Sequence, residues 1–176
     1  MSDESINLGE LQVLPLERKD SIYGRHTEIE KLYDRRGRLV LDDAVGFCID
    51  RARDAYILGM QDICSFLSGK SLEEALSFKY ERKVSKNIPD LNCLIEWAKK
   101  ENILDSGHRC LAHEVRKKRN DYGHAYLKIL RKELKTSKGR QPFTAQEALG
   151  TFEKALRVLE YMYKDVTPLK TQTKRK

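Results

Sequence analysis

Closely spaced cysteines are missing from this chain. Cys48, Cys64, Cys93 and Cys110 are its only four, and no Cys-x-x-Cys occurs. A zinc site therefore has no support, and free thiols in a reducing cytosol are the plain reading. Glycine and proline are scarce, at 10 and 4 in 176 residues, while 35% of the chain is charged. Few turn-formers and many charges favour helices over a β-rich fold. No run of 18 apolar residues occurs, and the polar, acidic N-terminus has no apolar signal core. The expectation is a cytoplasmic chain, neither secreted nor membrane-spanning. No internal repeat or heptad array is visible. At 40% hydrophobic the chain can bury a core without disulfides, which argues against wholesale disorder. These observations predict an all-α helical bundle.

Charge is present in excess and unevenly spread. The net charge is +7. From Arg109 to Arg140 eleven basic residues meet only Glu114, Asp121 and Glu133, so this segment alone carries +8. From Lys164 onward five basic residues meet one acid, which adds +4 and leaves −5 for the remainder. Concentrated positive potential suits a polyanion such as RNA. The alternative is a solvated basic helix face.

Three divisions follow: a loosely ordered N-terminal arm over 1–26, a helical bundle over 27–165 and a basic tail over 166–176. Thr27 and Glu30 have capping-box spacing and predict a short helix to about Asp34. Leu41, Val45, Cys48, Ile49, Ala52, Tyr56, Met60, Ile63 and Leu67 recur at three and four. They predict one long helix over about 39–67, ended by Gly69. Ser71 and Glu74 read as a second capping box, opening a helix to about Lys83. Pro89 suits the start of the next helix and Asp90 adds negative charge to its first turn; the apolar face is Leu91, Leu94, Ile95 and Ala98, with Trp97 beside it. Asp105 or Ser106 caps the next helix. Residues 136–142 read as a basic connecting loop. Thr144 and Glu147 form a third capping box. It opens a last helix to about Tyr163, with Ala148, Phe152, Ala155, Leu156, Leu159 and Met162 facing inward.

One stretch gathers groups with chemistry: Arg119-Asn120-Asp121-Tyr122-Gly123-His124-Ala125-Tyr126. Arginine is a fixed cation and a forked donor for phosphate. Histidine exchanges a proton near neutrality. Together they suit metal-free RNA cleavage, with His124 taking a proton from the 2′-OH and Arg119 holding charge on the phosphate.

Arg119, Asn120, His124 and Tyr126 read Arg-Asn-x-x-x-His-x-Tyr. This resembles the signature of the HEPN superfamily (higher eukaryotes and prokaryotes nucleotide-binding domains): an Arg often followed by a polar residue, with four to six residues between Arg and His. The Tyr two after the His is similar to the extended motif of the toxins in HEPN–MNT pairs. Over roughly 40–163 the order of helices also looks like small bacterial and archaeal HEPN proteins, though the stretch from Tyr126 to Phe143 is longer than in compact members. The resemblance implies an up-and-down helical bundle, a two-fold homodimer and, in many members, ribonuclease activity that needs no metal or other cofactor. Some members bind nucleotides or partners and do not cut. The resemblance makes Arg119, His124 and Asn120 the candidate catalytic set. In the toxin branch a nucleotidyltransferase-type antitoxin attaches AMP to the equivalent of Tyr126, which makes Tyr126 the candidate modification site. Arg116, Lys117, Lys118, Lys128 and Arg131 are the candidate RNA-binding residues.

Each assignment has a plainer rival. Tyr122 and Tyr126 at helical spacing serve packing in most helices. Asn120 either supports Arg119 or bonds nearby backbone. His108 and His113 have no third ligand nearby and read as surface residues. Arg119 and His124 are five apart, about 140° around an ideal helix, so a straight helix would not converge them. A kink at Gly123 or a facing second copy would.

Overall fold

The computed structural model describes residues 16–36, 41–84, 86–130 and 144–164, without side-chain placement for 16–20, 33–36 and 122–130. Among the described residues the fold is all-helical: α1 (Leu16–Arg36), α2 (Asp43–Ile57), α3 (Gln61–Lys83), α4 (Leu91–Lys100), α5 (Ser106–Leu130) and α6 (Ala145–Tyr163). No described helix is long and apolar enough to cross a membrane.

α3 is the hub, packing against α2, α4, α5 and α6, while α1 lies on α2. The core runs through their shared interior. Ile49 and Tyr56 from α2, Leu72 and Leu76 from α3, Leu94 and Ile95 from α4, Val115 from α5, and Phe152, Leu156 and Leu159 from α6 are all buried. The inward positions read from periodicity in α4 and α6 are buried as expected.

Several helix boundaries differ from the sequence reading. The long helix expected over 39–67 is divided at Leu58–Met60. Gly59 takes φ +81°, and the Met60 and Gly59 amides donate back to Ala55 and Tyr56 carbonyls at 2.7 and 3.0 Å. This paired pattern is a Schellman stop, which needs the left-handed residue that glycine supplies. Gly69, expected to end the helix, lies inside α3, and Ser71 is no cap. The buried Ser71 hydroxyl donates to the Ser68 carbonyl, a bond within the helix. The first helix also begins eleven residues earlier than Thr27, so 16–26, read as part of a loose arm, is helical. Thr27 is internal to it, and its hydroxyl donates to the Tyr23 carbonyl. α1 is tied to α2 by Arg25 Nε donating to the Ile57 carbonyl and by Tyr56 donating to Glu28.

The cap at Thr144 is as expected, Asp105 rather than Ser106 caps α5, and Asp90, expected in the first turn of α4, is its N-cap instead. Asp90 accepts from the Cys93 amide and Asp105 from the His108 amide, at 2.9 and 2.8 Å. Thr144 and Glu147 complete a capping box at the start of α6. The tail expected over 166–176 and the loop over 136–142 lie outside the described residues.

Candidate functional site: the motif helix and its carboxylate partners

The motif lies on α5, which is a single helix from Ser106 to Leu130, without a break at Gly123. His124, Tyr126 and Lys128 lie on this helix, but their side chains, and all of Arg131, lie outside the described residues.

Arg119 faces α3. α3 and α5 cross so closely that a methyl group built on Gly69 would stand 2.6 Å from Arg119 Cβ. The guanidinium then reaches Glu73, one turn along α3 from Gly69, at 2.8 Å. Its Cζ lies 5.9 Å from the Phe66 ring centroid, near the outer limit of a cation–π contact. The Arg119 side chain keeps 22% of its surface exposed, yet its Nε is buried without a hydrogen-bond partner. Glu73 is shared with Lys70, which also reaches Glu74. The result is an Arg–Glu–Lys chain that holds Arg119 in place.

The role of Glu73 as the partner of Arg119 is not foreseen in the sequence reading, which singles out its neighbour Glu74. The available signal was the four-residue spacing of Glu73 from Gly69, which puts a small residue and a carboxylate on one helix face. Asn120 is half-buried. Among the described residues it is Glu73, not Asn120, that holds the Arg119 guanidinium.

The expected RNA-binding residues divide between faces. Lys117 and Lys118 line a groove of about 430 Å³ between α5 and α6. Three further groove residues are acidic, Glu114, Asp121 and Glu147, and Lys154 is the third cation. Lys118 meets Glu147 at 2.7 Å, and Lys154 meets Glu114 at 2.6 Å. The Lys118 ammonium, helped by the Thr144 amide, pulls the Glu147 carboxyl down to about 2. Arg116 turns elsewhere. Its charge acts on Asp90, at the start of α4, and its Nε is buried and unpartnered.

His108 and His113, expected at the surface, are both half-buried and bonded. His113 Nε2 lies 2.7 Å from Glu96, which also takes a two-pronged contact from Arg109. Arg109 and then His113 hold the Glu96 carboxyl below its usual range. His108 stacks on Tyr161, with ring centroids 4.0 Å apart, and bonds Asp105. Both histidines join helices.

All four cysteines are free, with Cys48 and Cys64 buried and Cys93 and Cys110 exposed. Among the described residues no group of three or more His, Cys, Asp or Glu could hold a metal ion. No protein-family model matches the chain, and no curated protein or solved structure does either.

Proposed function

We propose that this chain is a HEPN-type, metal-independent endoribonuclease acting as a toxin or defence effector. The observation that carries this reading is the fixed, partly exposed Arg119, held by Glu73 at the α3–α5 crossing on the same unbroken helix as His124. An arginine already oriented loses little freedom when it meets a phosphate, so its charge is ready as the transition state forms.

In this reading two copies pair about a two-fold axis, so that Arg119 and His124 of both line one cleft. One His124 removes the proton from the ribose 2′-OH. The 2′-oxygen attacks phosphorus, the bond from phosphorus to the 5′-oxygen breaks, and an imidazolium returns a proton to that oxygen. The products are a 2′,3′-cyclic phosphate and a 5′-hydroxyl. Arg119 carries the charge that builds on the phosphoryl oxygens, and Asn120 orients the phosphate. Lys117, Lys128 and Arg131 draw in the RNA. A nucleotidyltransferase-type antitoxin that adds AMP to Tyr126 would block the cleft.

The test is cleavage of RNA in EDTA by the purified chain, with Arg119→Ala and His124→Ala beside it. Loss of the proton-transfer group is expected to slow cleavage by about 10²–10⁴-fold. Equal cleavage by wild type and His124→Ala ends the assignment.

A second reading is a HEPN module that binds RNA, a nucleotide or a partner protein without turnover. The ion pairs favour it, because Arg119 and Lys118 already hold carboxylates. Its mark is salt-sensitive RNA binding with the RNA intact after long incubation.

A further inference from the structure

At the end of the bundle where α2 starts and α3 and α6 finish lies a cavity of about 500 Å³. It is distinct from the motif helix contact. Lys79 is six residues beyond Glu73 on α3, or about 9 Å along the helix. Leu41 and Ile103 form part of its wall, and Lys79, Arg82 and Lys83 bring three positive charges. Among the described residues Asp42 is the one acid in the lining, and its carboxylate accepts from the Tyr163 hydroxyl at 2.5 Å.

The cations here are poorly compensated. Lys83 meets Glu101 at a loose 3.6 Å. Among the described residues Lys79 and Arg82 have no carboxylate within ion-pair distance. Each lies over an aromatic ring instead, Lys79 over Tyr163 at 4.9 Å and Arg82 over Phe78 at 4.0 Å. Elsewhere in the molecule Arg109, Lys118, Arg119 and Lys154 each hold a carboxylate from another helix. Burial pushes the Lys79 ammonium pKa down; Asp42 opposes that, while Arg82 and Lys83 add to it. A half-buried cation beside two others is costly unless an anion joins it.

Lys79 and Arg82 are three apart, so they stand on one face of α3. An ammonium and a planar guanidinium side by side match one compact, doubly charged group better than an extended polyanion, which needs a row of cations. The volume lies within the range of small-molecule sites. We propose that this cavity binds a small phosphorylated molecule, with its phosphate on Lys79 and Arg82 and its organic body against Leu41 and Ile103. This stands independently of the ribonuclease reading.

The experiment is calorimetric titration of the full chain at low ionic strength with inorganic phosphate and with phenyl phosphate. Both are expected to bind saturably at one site. Phenyl phosphate should bind several-fold tighter, because its ring leaves water for the apolar wall. Arg82→Gln and Lys79→Met should each weaken binding about tenfold, near 1.4 kcal/mol. Arg82 is exposed, so its replacement keeps the fold if Lys79→Met does not. Arg157→Gln, on the exposed face of α6, should bind as wild type. The proposal is overturned if neither probe binds saturably or if Arg82→Gln binds undiminished. Binding lost in Arg119→Ala but kept in Arg82→Gln, or binding of RNA alone, would also overturn it.

Discussion

Arg119 reaches Glu73 only because residue 69 has no side chain. The methyl group of an alanine there would stand 2.6 Å from Arg119 Cβ, an atom fixed to the α5 backbone, so α3 and α5 would have to move apart. Helix propensity pulls the other way, since Gly→Ala inside a helix gains about 1 kcal/mol. Overpacking costs typically about 1–3 kcal/mol, so the clash is expected to win. Gly69→Ala should lower stability by roughly 1 kcal/mol in urea unfolding. Gly150→Ala in α6, where nothing lies within 4 Å of the added carbon, should raise it by about 0.5–1 kcal/mol. If both alanines stabilise, the close crossing is wrong. The motif itself was legible as Arg, Asn and His at helical spacing. The carboxylate that holds Arg119 was not, because it is 46 residues away in sequence.

Among the helices, one local pattern occurs three times with two outcomes. Thr27 with Glu30, Ser71 with Glu74 and Thr144 with Glu147 share the same spacing, yet only Thr144 is a cap. The other two lie within helices whose apolar periodicity continues on both sides, so their backbones already have helical partners. Thr144 stands at the start of α6, where its hydroxyl and the Glu147 carboxylate close a capping box. The true break between α2 and α3 depended on the sign of one φ angle. Gly59→Ala should destabilise by about 1–2 kcal/mol, the cost of a side chain in the left-handed region. Crowding by the Arg25 guanidinium, 3.2 Å from the new carbon, adds to that loss. Thermal unfolding measures it, and an unchanged midpoint would mean that this turn does not stop α2 as described.

For the molecule as a whole, the carboxylates between helices set the acid limit. Glu147 between α5 and α6 is held at about 2, below its ordinary 4.5. A depressed folded pKa means stability that is present above 4.5 and lost as pH falls towards 2. Glu96 and Glu114 are shifted the same way by Arg109 and Lys154. The thermal midpoint should therefore fall through that window. Glu147→Gln should be less stable than wild type at pH 7, and most of that gap should be gone near pH 2. A gap that stays undiminished down to pH 2 would mean that the loss is packing rather than charge. Since these groups are exposed, the effect is modest and shrinks with salt.

By itself the sequence determined the all-α class, the buried faces of α4 and α6, the cap at Thr144, and the position of the Arg–His motif on one helix. Each depends on neighbours within a few residues, where helical periodicity and capping chemistry act. The tertiary structure alone decided how much of the basic segment remains unpaired. Glu73 from α3, Glu96 from α4 and Glu147 from α6 come to Arg119, Arg109 and Lys118 of α5. A count along the chain assigns charge to segments. Folding reassigns it, because Coulomb attraction depends on distance in space, and packing the helices brings distant acids within 3 Å of those bases.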